Sequence, residues 1–228
     1  MTTFFRFPRT PHLVWLGHGE PRDDKVLLPD EVESLLSSEL VVEEKMDGAN
    51  IGFSTGDDGE LRVQNRGSYL EREHAHPEFR PLWGWLRTRE PALVDALGKD
   101  RMLFGEWCYA VHSIVYERLP DWFLGFDVYD RTVEEFWDTS RRDRLLETLR
   151  LRPVPRIARG RFRVDAIERL LSSTSGVGYR GVEGLVVRRE SGGLTTARAK
   201  LVRPEFTQAM DKHWTRGPLR RNELATAL

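Results

Sequence analysis

The sequence predicts an α+β protein in which antiparallel sheets are flanked by helices. Short runs rich in apolar and β-branched residues recur between turn sequences, which is typical of strands in antiparallel sheets. Longer segments whose apolar residues repeat at helical spacing lie among these runs. Since 39% of the residues are hydrophobic and 10% are aromatic, the chain has enough apolar material to pack both kinds of element around a core.

The first part of the chain is predicted to form an antiparallel meander. A helix over 30–37 precedes it, because a proline followed by an aspartate is typical of a helix start. Residues 39–54 then form two strands on either side of Gly48. A turn at 56–59 leads to a third strand over 61–65.

The rest of the chain is predicted to alternate helices with buried strands. A helix over 81–98 has an apolar face and is interrupted near Pro91. The later elements are strands at 101–108 and 122–129, helices at 139–149 and 164–172, and strands at 182–188 and 195–202. A Ser-Gly-Gly sequence at 191–193 joins the last two strands as a hairpin, and Pro204 ends the second of them.

The composition indicates a soluble, cytoplasmic protein with no membrane partner. Its 228 residues carry a net charge of −1, which argues against a globally basic nucleic-acid binder but allows a local basic face. The one cysteine, Cys108, excludes a disulfide within the chain and is interpreted as a core thiol. No stretch approaches the roughly 18 apolar residues of a membrane span, and the N-terminus lacks the apolar run of a secretion signal.

Lysine is rare in this chain, which draws attention to Lys45. Only five of the 35 basic residues are lysines. Lys45 lies in the segment Glu44-Lys45-Met46-Asp47-Gly48, for which an exposed hairpin turn and a covalent nucleophile are equally good interpretations. A nucleophilic amine must be neutral, and burial together with nearby cations lowers the pKa of a lysine towards that state.

Other strands carry residues suited to phosphate chemistry. Glu106 and Glu183 lie at strand ends, where a carboxylate is either solvated or directed into a cleft. Arg198 and Lys200 share one face of a strand, and a phosphate between them would relieve their mutual repulsion. The aromatic residues of 122–129 are more typical of a core, although one can stack on a base. Together with the lysine nucleophile, this set is suited to Mg²⁺-dependent nucleotidyl transfer.

The remaining titratable residues receive simpler interpretations. His74 and His76 are interpreted as exposed loop residues rather than metal ligands. His112 follows Glu106 closely enough to lie near the site. The basic run 216–221 is interpreted as a solvated tail, with a phosphate contact as the alternative.

Six motifs in order resemble those of the covalent nucleotidyltransferase superfamily of ligases and capping enzymes. They are Lys45-Met-Asp-Gly48, Asn65-Arg66-Gly67, Phe104-Gly105-Glu106, Phe126-Asp127-Val-Tyr129, Glu183-Gly184-Leu-Val-Val-Arg188 and Arg198-Ala-Lys200. Within this superfamily the chain most resembles the RNA ligase family related to the second RNA ligase of phage T4. The resemblance implies an ATP-grasp-like ligase adenylation domain, that is, a nucleotidyltransferase fold.

The resemblance also implies the catalytic and nucleotide-binding residues. Lys45 forms the lysyl-AMP, with Glu183 and Lys200 as the other catalytic residues, and Glu183 and Glu106 serve the metal, Mg²⁺ or Mn²⁺. The implied nucleotide-binding residues are Glu44, Asp47, Gly48, Arg66, Glu106, Phe126, Arg198 and Lys200. Among these, Glu44 contacts the adenine amine, Phe126 stacks on the adenine, and Glu106 serves the ribose. Arg198 and Lys200 hold the α-phosphate.

The implied activity is that of an ATP-dependent polynucleotide ligase. It joins 5′-phosphate and 3′-hydroxyl ends, of RNA by preference, and a nicked duplex or DNA is the other substrate class. Asn50 and Arg66 face the nucleic-acid end. An end-healing kinase or phosphatase is a candidate partner.

Three departures from the family pattern keep alternatives open. Asp47 stands where the phage enzyme's family often has histidine, and Arg198 replaces the first of two lysines. The chain ends about 20 residues after the last motif, so we expect a single adenylyltransferase domain over 1–228 without a C-terminal OB domain. The alternatives are a minimal DNA nick ligase and a self-adenylylating nucleotide-binding module that needs a partner.

Overall fold

The computed structural model describes residues 4–19, 21, 25–177, 181–208 and 218–226, which form ten strands and six α-helices. The strands are β1 (Leu40–Lys45), β2 (Ala49–Thr55), β3 (Leu61–Gln64), β4 (Arg101–Trp107), β5 (Phe123–Asp130), β6 (Glu135–Phe136), β7 (Arg152–Pro153), β8 (Arg156–Gly160), β9 (Gly184–Ser191) and β10 (Leu194–Val202). The helices are α1 (Pro29–Leu36), α2 (Arg80–Leu86), α3 (Glu90–Leu97), α4 (Thr139–Thr148), α5 (Val164–Leu170) and α6 (Pro204–Gln208).

The strands form two sheets with helices on their outer faces, as the α+β prediction requires. The smaller sheet is antiparallel, with the order β10-β9-β1-β8. The larger sheet has the order β3-β2-β4-β5-β6, and β7 joins it parallel to β5. Apolar residues of the smaller sheet pack against α1 and α5, whereas those of the larger sheet pack against α2, α3 and α4.

The predicted meander of the first three strands is wrong. β1 pairs with β8 and β9, while β2 pairs with β3 and β4, so the first two strands belong to different sheets. Five of the six residues of β1 are buried, because neighbouring strands and packed layers cover it. The chain crosses between the sheets at Gly48, where a Cβ atom would lie 2.6 Å from the carbonyl oxygen of Trp107. Glycine is therefore required at this crossing.

The predicted helices and strands are otherwise confirmed with small shifts at their ends. The helix predicted over 81–98 is two helices, and the break lies at 87–89 rather than near Pro91. Pro91 lies in the first turn of α3, where a proline removes no helical hydrogen bond. The prediction missed β8, whose sequence Arg-Ile-Ala-Arg-Gly is polar because it is an edge strand. It also missed the two-residue strands β6 and β7 and the short helix α6.

The hairpin between β9 and β10 is confirmed and fixes the register of the residues that matter most. Gly192 and Gly193 have φ angles of 60° and 81°, as a tight turn between twisted strands requires. In the resulting register, Arg198 lies opposite Arg188 and Lys200 lies opposite Val186.

Both ends of the described chain are attached to this framework. Near the N-terminus, Lys200 N donates to Pro11 O and Leu13 N donates to Lys200 O, each at 2.7–2.8 Å, so His12 pairs in parallel with Lys200. Near the C-terminus, the fully buried Asn222 accepts a hydrogen bond from Tyr116 N at 2.8 Å.

The predicted solvated tail is confirmed only for some side chains. Arg220 and Arg221 are exposed, but their backbone is paired with the loop after β4, where Cys108 is buried as expected of a core thiol. Residues 216 and 217, at the start of this run, lie outside the described residues. Among the helices that the structure describes, none is both long enough and apolar enough to span a membrane.

Candidate active site

A cavity of about 610 Å³ lies between the facing surfaces of the two sheets. The smaller sheet contributes residues of β1, β9 and β10, and the larger sheet contributes residues of β2, β4 and β5. Every residue that the sequence predicted for the site lines this cavity: Glu44, Lys45, Asp47, Gly48, Asn50, Arg66, Glu106, Phe126, Glu183, Arg198 and Lys200. The structure thus brings together residues that are spread over 157 positions of the sequence, from 44 to 200.

Lys45 is the last residue of β1 and is held by a carboxylate. Its Nζ donates to both oxygens of Glu183, at 2.6 and 2.7 Å, and its side chain is 28% exposed. Burial by itself would lower the pKa of Lys45, but the carboxylates of Glu183, Glu106 and Asp47 raise it above the usual value. Acids therefore dominate the surroundings of this amine, and the lowering of its pKa by nearby cations stays a prediction for the site with metal and nucleotide bound.

The acids around Lys45 are not fully compensated. Burial, together with the neighbouring charges of Glu183 and Asp47, raises the pKa of Glu106 to about 7, although Lys45 opposes the shift. Burial also raises the pKa of Glu183. Three carboxylates therefore lie near Lys45, with Lys200 as a further cation near Glu183, an arrangement that fits a divalent cation whose remaining ligands are phosphate oxygens. Within the described ranges, no group of three or more His, Cys, Asp or Glu side chains could hold a metal ion without such added ligands.

Asp47 orders the loop that follows β4. Its Oδ2 accepts hydrogen bonds from the backbone nitrogens of Ser113, at 2.6 Å, and Ile114, at 2.8 Å. Its own backbone nitrogen donates to the hydroxyl oxygen of Tyr116 at 2.8 Å. Gly48 N donates to Glu106 at 3.2 Å, so the whole turn after Lys45 is held by side chains. Nothing in the sequence pattern pointed to this positioning role for Asp47.

Glu44 and Phe126 both line the cavity. Glu44 accepts hydrogen bonds from the Ser175 hydroxyl, at 2.6 Å, and from Gly176 N, at 3.0 Å. Burial nevertheless raises the pKa of Glu44. Phe126 is half-buried, and Phe7 packs edge-on against it with ring centroids 5.4 Å apart. The hydrogen bond from Ser175 to Glu44 was not predicted, because a serine in a Ser/Gly-rich segment carries no specific signal.

Arg198 and Lys200 both face the cavity, but Arg198 already has an anionic partner. It donates to Asp127, and its guanidinium packs over the rings of Phe7 and Phe136 at 4.6 and 4.3 Å. Asp127 is therefore one anion that relieves the repulsion between the two cations, which the sequence analysis expected a phosphate to relieve. Lys200 lies near Glu183, whose pKa its charge helps to lower.

A buried ion network next to the cavity was missed by the sequence analysis. Arg142 of α4 donates to both oxygens of Glu43, at 2.7 and 3.1 Å. Arg188 bridges Glu43, at 2.7 Å, and Asp127, at 2.6 Å. Glu43 and Arg142 are 99 residues apart in the sequence, so only the fold brings them together. The one available signal was a glutamate within a buried strand, which requires a cationic partner.

The last group of cavity residues comes from the larger sheet and its loops. The Oδ1 atom of Asn50 is buried and has no hydrogen-bond partner among the described residues. Arg66 is exposed at the rim, in a turn where Asn65 Oδ1 accepts from Gly67 N and Ser68 N at 2.8 and 2.9 Å. A buried acceptor without a partner is costly, so Asn50 is suited to bind a donor group of a ligand.

The positions of His112, His74 and His76 agree with the sequence analysis. His112 lines the cavity, and its Nε2 lies 3.0 Å from an oxygen of the buried Glu78. Burial by itself would lower the pKa of His112, but Glu78 and the nearby acids raise it. His74 and His76 are exposed, and among the described residues neither belongs to a possible metal site.

Comparisons with known proteins place this geometry in a family context. The sequence model of the RNA ligase family matches residues 38–202. Structures of an RNA ligase from Naegleria gruberi have a similar fold: a lysine-to-alanine variant with ATP and Mn (TM-score 0.67, 17% identity), a lysine-to-methionine variant with AMP and Mn (0.67, 17%) and an arginine-to-alanine variant with ATP and Mn (0.66, 18%). Each match covers 92% of this chain and 60% of the Naegleria chain, so this chain spans about three fifths of that protein's length. No curated protein sequence matched.

Proposed function

The chain belongs to the RNA ligase family, and we propose that it is an ATP-dependent RNA ligase. In this proposal it joins a 5′-phosphate end to a 3′-hydroxyl end through a lysyl-AMP intermediate, and residues 1–228 act as one adenylyltransferase domain. The closer likeness to the second RNA ligase of phage T4, a cytoplasmic location and an end-healing partner remain predictions from the sequence.

The observation that carries the proposal is the position of Lys45. It is the one lysine of β1, and it ends in a cavity that is large enough for a nucleotide and is lined by at least one residue from each of the six motifs. The lysine side chain is partly exposed to this cavity, so its amine can reach a bound phosphate once Glu183 releases it.

The first chemical step requires Lys45 to change its protonation state. In this arrangement the raised pKa of Lys45 keeps the amine protonated and therefore not nucleophilic. Positive charge brought against Glu183 and Glu106 would weaken their hold on the proton of Lys45. The amine could then attack the α-phosphorus of ATP, and the phosphoramidate formed would divide a difficult displacement into easier ones.

The remaining cavity residues have roles that follow from their chemistry. We assign Phe126 to stacking on the adenine and Glu44 to its amine, because a buried carboxylate accepts from such a donor. Lys200, supported by Arg198, would offset negative charge that develops at the α-phosphate. Asn50 and Arg66, which also line the cavity, would contact the 5′-phosphate end of the nucleic acid.

A divalent cation fits the uncompensated acids of the site. Glu183 and Glu106 would hold Mg²⁺ or Mn²⁺ together with phosphate oxygens, and the ion would supply charge neutralisation. The Naegleria structures contain Mn together with ATP or AMP, which supports this assignment.

The test is transfer of label from α-labelled ATP or GTP to the protein in the presence of Mg²⁺, followed by a denaturing gel. Wild type is expected to become labelled from ATP, and Lys45→Ala is expected to lose the label by at least about a thousandfold. Lys99→Ala is the matched control, since Lys99 is exposed and does not line the cavity.

The outcomes separate the competing functions. No label on folded wild type, with Mg²⁺ or with Mn²⁺, would rule out the enzyme. Label without any joined product would favour a self-adenylylating module that needs a partner. Nicked RNA and nicked DNA substrates then distinguish an RNA ligase from a minimal DNA nick ligase.

A further inference from the structure

The N-terminal segment, defined as residues 9–12, lies along the outer edge of the smaller sheet. His12 pairs in parallel with Lys200 of β10, through hydrogen bonds of Lys200 N to Pro11 O and of Leu13 N to Lys200 O. The other side of His12 is held by its backbone contacts with Lys25 and Leu27. The segment is therefore a built part of the sheet rather than a loose end.

The register shows where the side chains of this segment point. Neighbouring residues in a parallel pair share one face of a sheet, so the His12 side chain lies beside that of Lys200 on the cavity face. Three residues of the segment, Arg9, Thr10 and His12, line the cavity. His12 is only 3% exposed and packs edge-on against Trp15, with ring centroids 4.9 Å apart.

The segment lies beyond Lys200, on the side of β10 that faces away from β1. In the register of the sheet, His12 lies beside Lys200, and Lys200 lies opposite Val186 of β9, which pairs with Glu43 of β1, two residues before Lys45. Neighbouring strands are roughly 4.8 Å apart, so the segment lies one strand farther from Lys45 than Lys200 does. If Lys200 holds the α-phosphate, the next phosphates of the nucleotide extend towards Arg9 and His12 or towards solvent.

We propose that the N-terminal segment binds the β- and γ-phosphates of ATP and holds the pyrophosphate as it leaves. This rests on the proposed function. A guanidinium from Arg9, a hydroxyl from Thr10 and an imidazole from His12 are all donors suited to phosphate oxygens. Arg9 is the exposed member, at the end where pyrophosphate must depart.

The step that this segment assists is the adenylylation of Lys45. The Lys45 ammonium gives up two protons to solvent, and a bond forms between Nζ and the α-phosphorus. The bond between the α-phosphorus and the bridging oxygen to the β-phosphate breaks, and pyrophosphate leaves with that electron pair. Donors on the β-phosphate stabilise the charge that develops on the leaving oxygen.

A pyrophosphate site affects only the steps in which pyrophosphate takes part. Adenylylation of Lys45 needs it, and so does the reverse reaction, in which pyrophosphate removes AMP from the enzyme. Joining of an RNA whose 5′ end is already adenylylated does not need it. A residue that merely stabilises the fold, or that binds the RNA end, would affect that last reaction as well.

The experiment compares Arg9→Ala and His12→Asn with wild type in these three reactions. Loss of one charge-assisted contact is expected to slow lysyl-AMP formation roughly ten- to hundredfold. Discharge of lysyl-AMP by added inorganic pyrophosphate is expected to fall by the same factor. Joining of the pre-adenylylated RNA is expected to stay within about twofold of wild type. Arg6→Ala is the matched control, because Arg6 is an exposed arginine of the same N-terminal region that does not line the cavity.

Several results would overturn the proposal. An equal loss in joining of pre-adenylylated RNA would assign Arg9 and His12 to the RNA end or to the fold instead. Unchanged rates in Arg9→Ala would show that Arg9 does not contact the β- and γ-phosphates. An equal loss in Arg6→Ala would show that the effect is not specific to Arg9. A wild type that takes no label from ATP would instead reject the proposed function, so the two failures are distinguishable.

Discussion

Two charged clusters lie side by side in this cavity, and they differ in how well their charges are balanced. The arginine network consists of Glu43, Asp127, Asp143, Arg142, Arg188 and Arg198. The lysine cluster consists of Lys45, Asp47, Glu106 and Glu183. In the first cluster each carboxylate is shared by two arginines, whereas in the second, three carboxylates lie near Lys45, which is bonded to Glu183, and Lys200 is a further cation near Glu183.

The difference indicates that the arginine network stabilises the fold, whereas the lysine cluster is suited to bind a ligand. The arginine network joins α4 to both sheets, and burial there is tolerated because every charge has a close partner. In the lysine cluster, burial, together with the charges of Glu183 and Asp47, raises the pKa of Glu106 to about 7, although Lys45 opposes the shift. Groups with such shifts are typical of functional sites, because a ligand or metal ion supplies the missing charge.

The largest expected effect comes from breaking the arginine network. Glu43 is fully buried between Arg142 and Arg188, so Glu43→Gln leaves two buried cations with too little negative charge. We expect a loss of about 3–5 kcal/mol in the free energy of unfolding, measured by urea denaturation.

The matched variant in the lysine cluster is Glu183→Gln. It also removes one charge from a short ion pair, but Lys45 is partly exposed and burial already raises the pKa of Glu183. We expect the free energy of unfolding to change by less than about 1 kcal/mol, while lysyl-AMP formation is lost. Equal destabilisation by both variants would contradict the division into a structural and a functional cluster.

The lysine cluster could be predicted from the sequence, whereas the arginine network could not. The residues of the lysine cluster belong to motifs whose types and order are readable along the chain, and all of them line the cavity. Arg142 lies in a helix with no motif, and its partnership with Glu43 depends on how α4 packs on the sheets. The same holds for His12, which lies in a proline-rich stretch without strand periodicity and becomes an edge partner only when β10 is in place.

The sheet assignment of β1 and β2 was misread for a related reason. Local sequence indicates two strands and a turn, and a hairpin is the simplest way to connect them. Whether two successive strands pair or separate is decided by what covers each face, and that information lies in distant strands. The close approach of Gly48 to Trp107 holds the crossing in place.

An effect of intermediate size is expected in the pH dependence of the free energy of unfolding. The contributions of Glu43, in the arginine network, and of Glu106, in the lysine cluster, should change with pH in opposite directions. Burial would raise the pKa of Glu43, but Arg142 and Arg188 bring it below the usual value, so its stabilisation is present above about pH 4.5 and is lost as the pH falls further. The pKa of Glu106 is raised to about 7, so the folded state holds a proton that the unfolded state has already lost. Its contribution therefore declines as the pH rises from about 4.5 to about 7.

The corresponding measurement is the melting temperature of wild type and Glu106→Gln between pH 5 and pH 8. We expect the two proteins to be alike at pH 5, where Glu106 is protonated, and Glu106→Gln to be more stable at pH 8 by about 1–3 kcal/mol. If Glu106→Gln is less stable than wild type at pH 8, nearby cations compensate the negative charge of Glu106, contrary to its grouping with the lysine cluster.

The smallest effect is expected for an ion pair that is as short as those of the arginine network but is exposed to solvent. Arg159 on β8 donates to Glu39 at 2.6 Å, as short as the contacts of the arginine network, but the two side chains are 49% and 57% exposed. Water competes for both groups, so Arg159→Gln should cost less than about 1 kcal/mol in urea denaturation, and 1 M salt should remove most of the difference. A loss in the free energy of unfolding close to that of Glu43→Gln would mean that the short donor–acceptor distance sets the energy of these pairs. A small, salt-sensitive cost would mean that burial does, and that the arginine network stabilises the protein because no solvent can replace its partners.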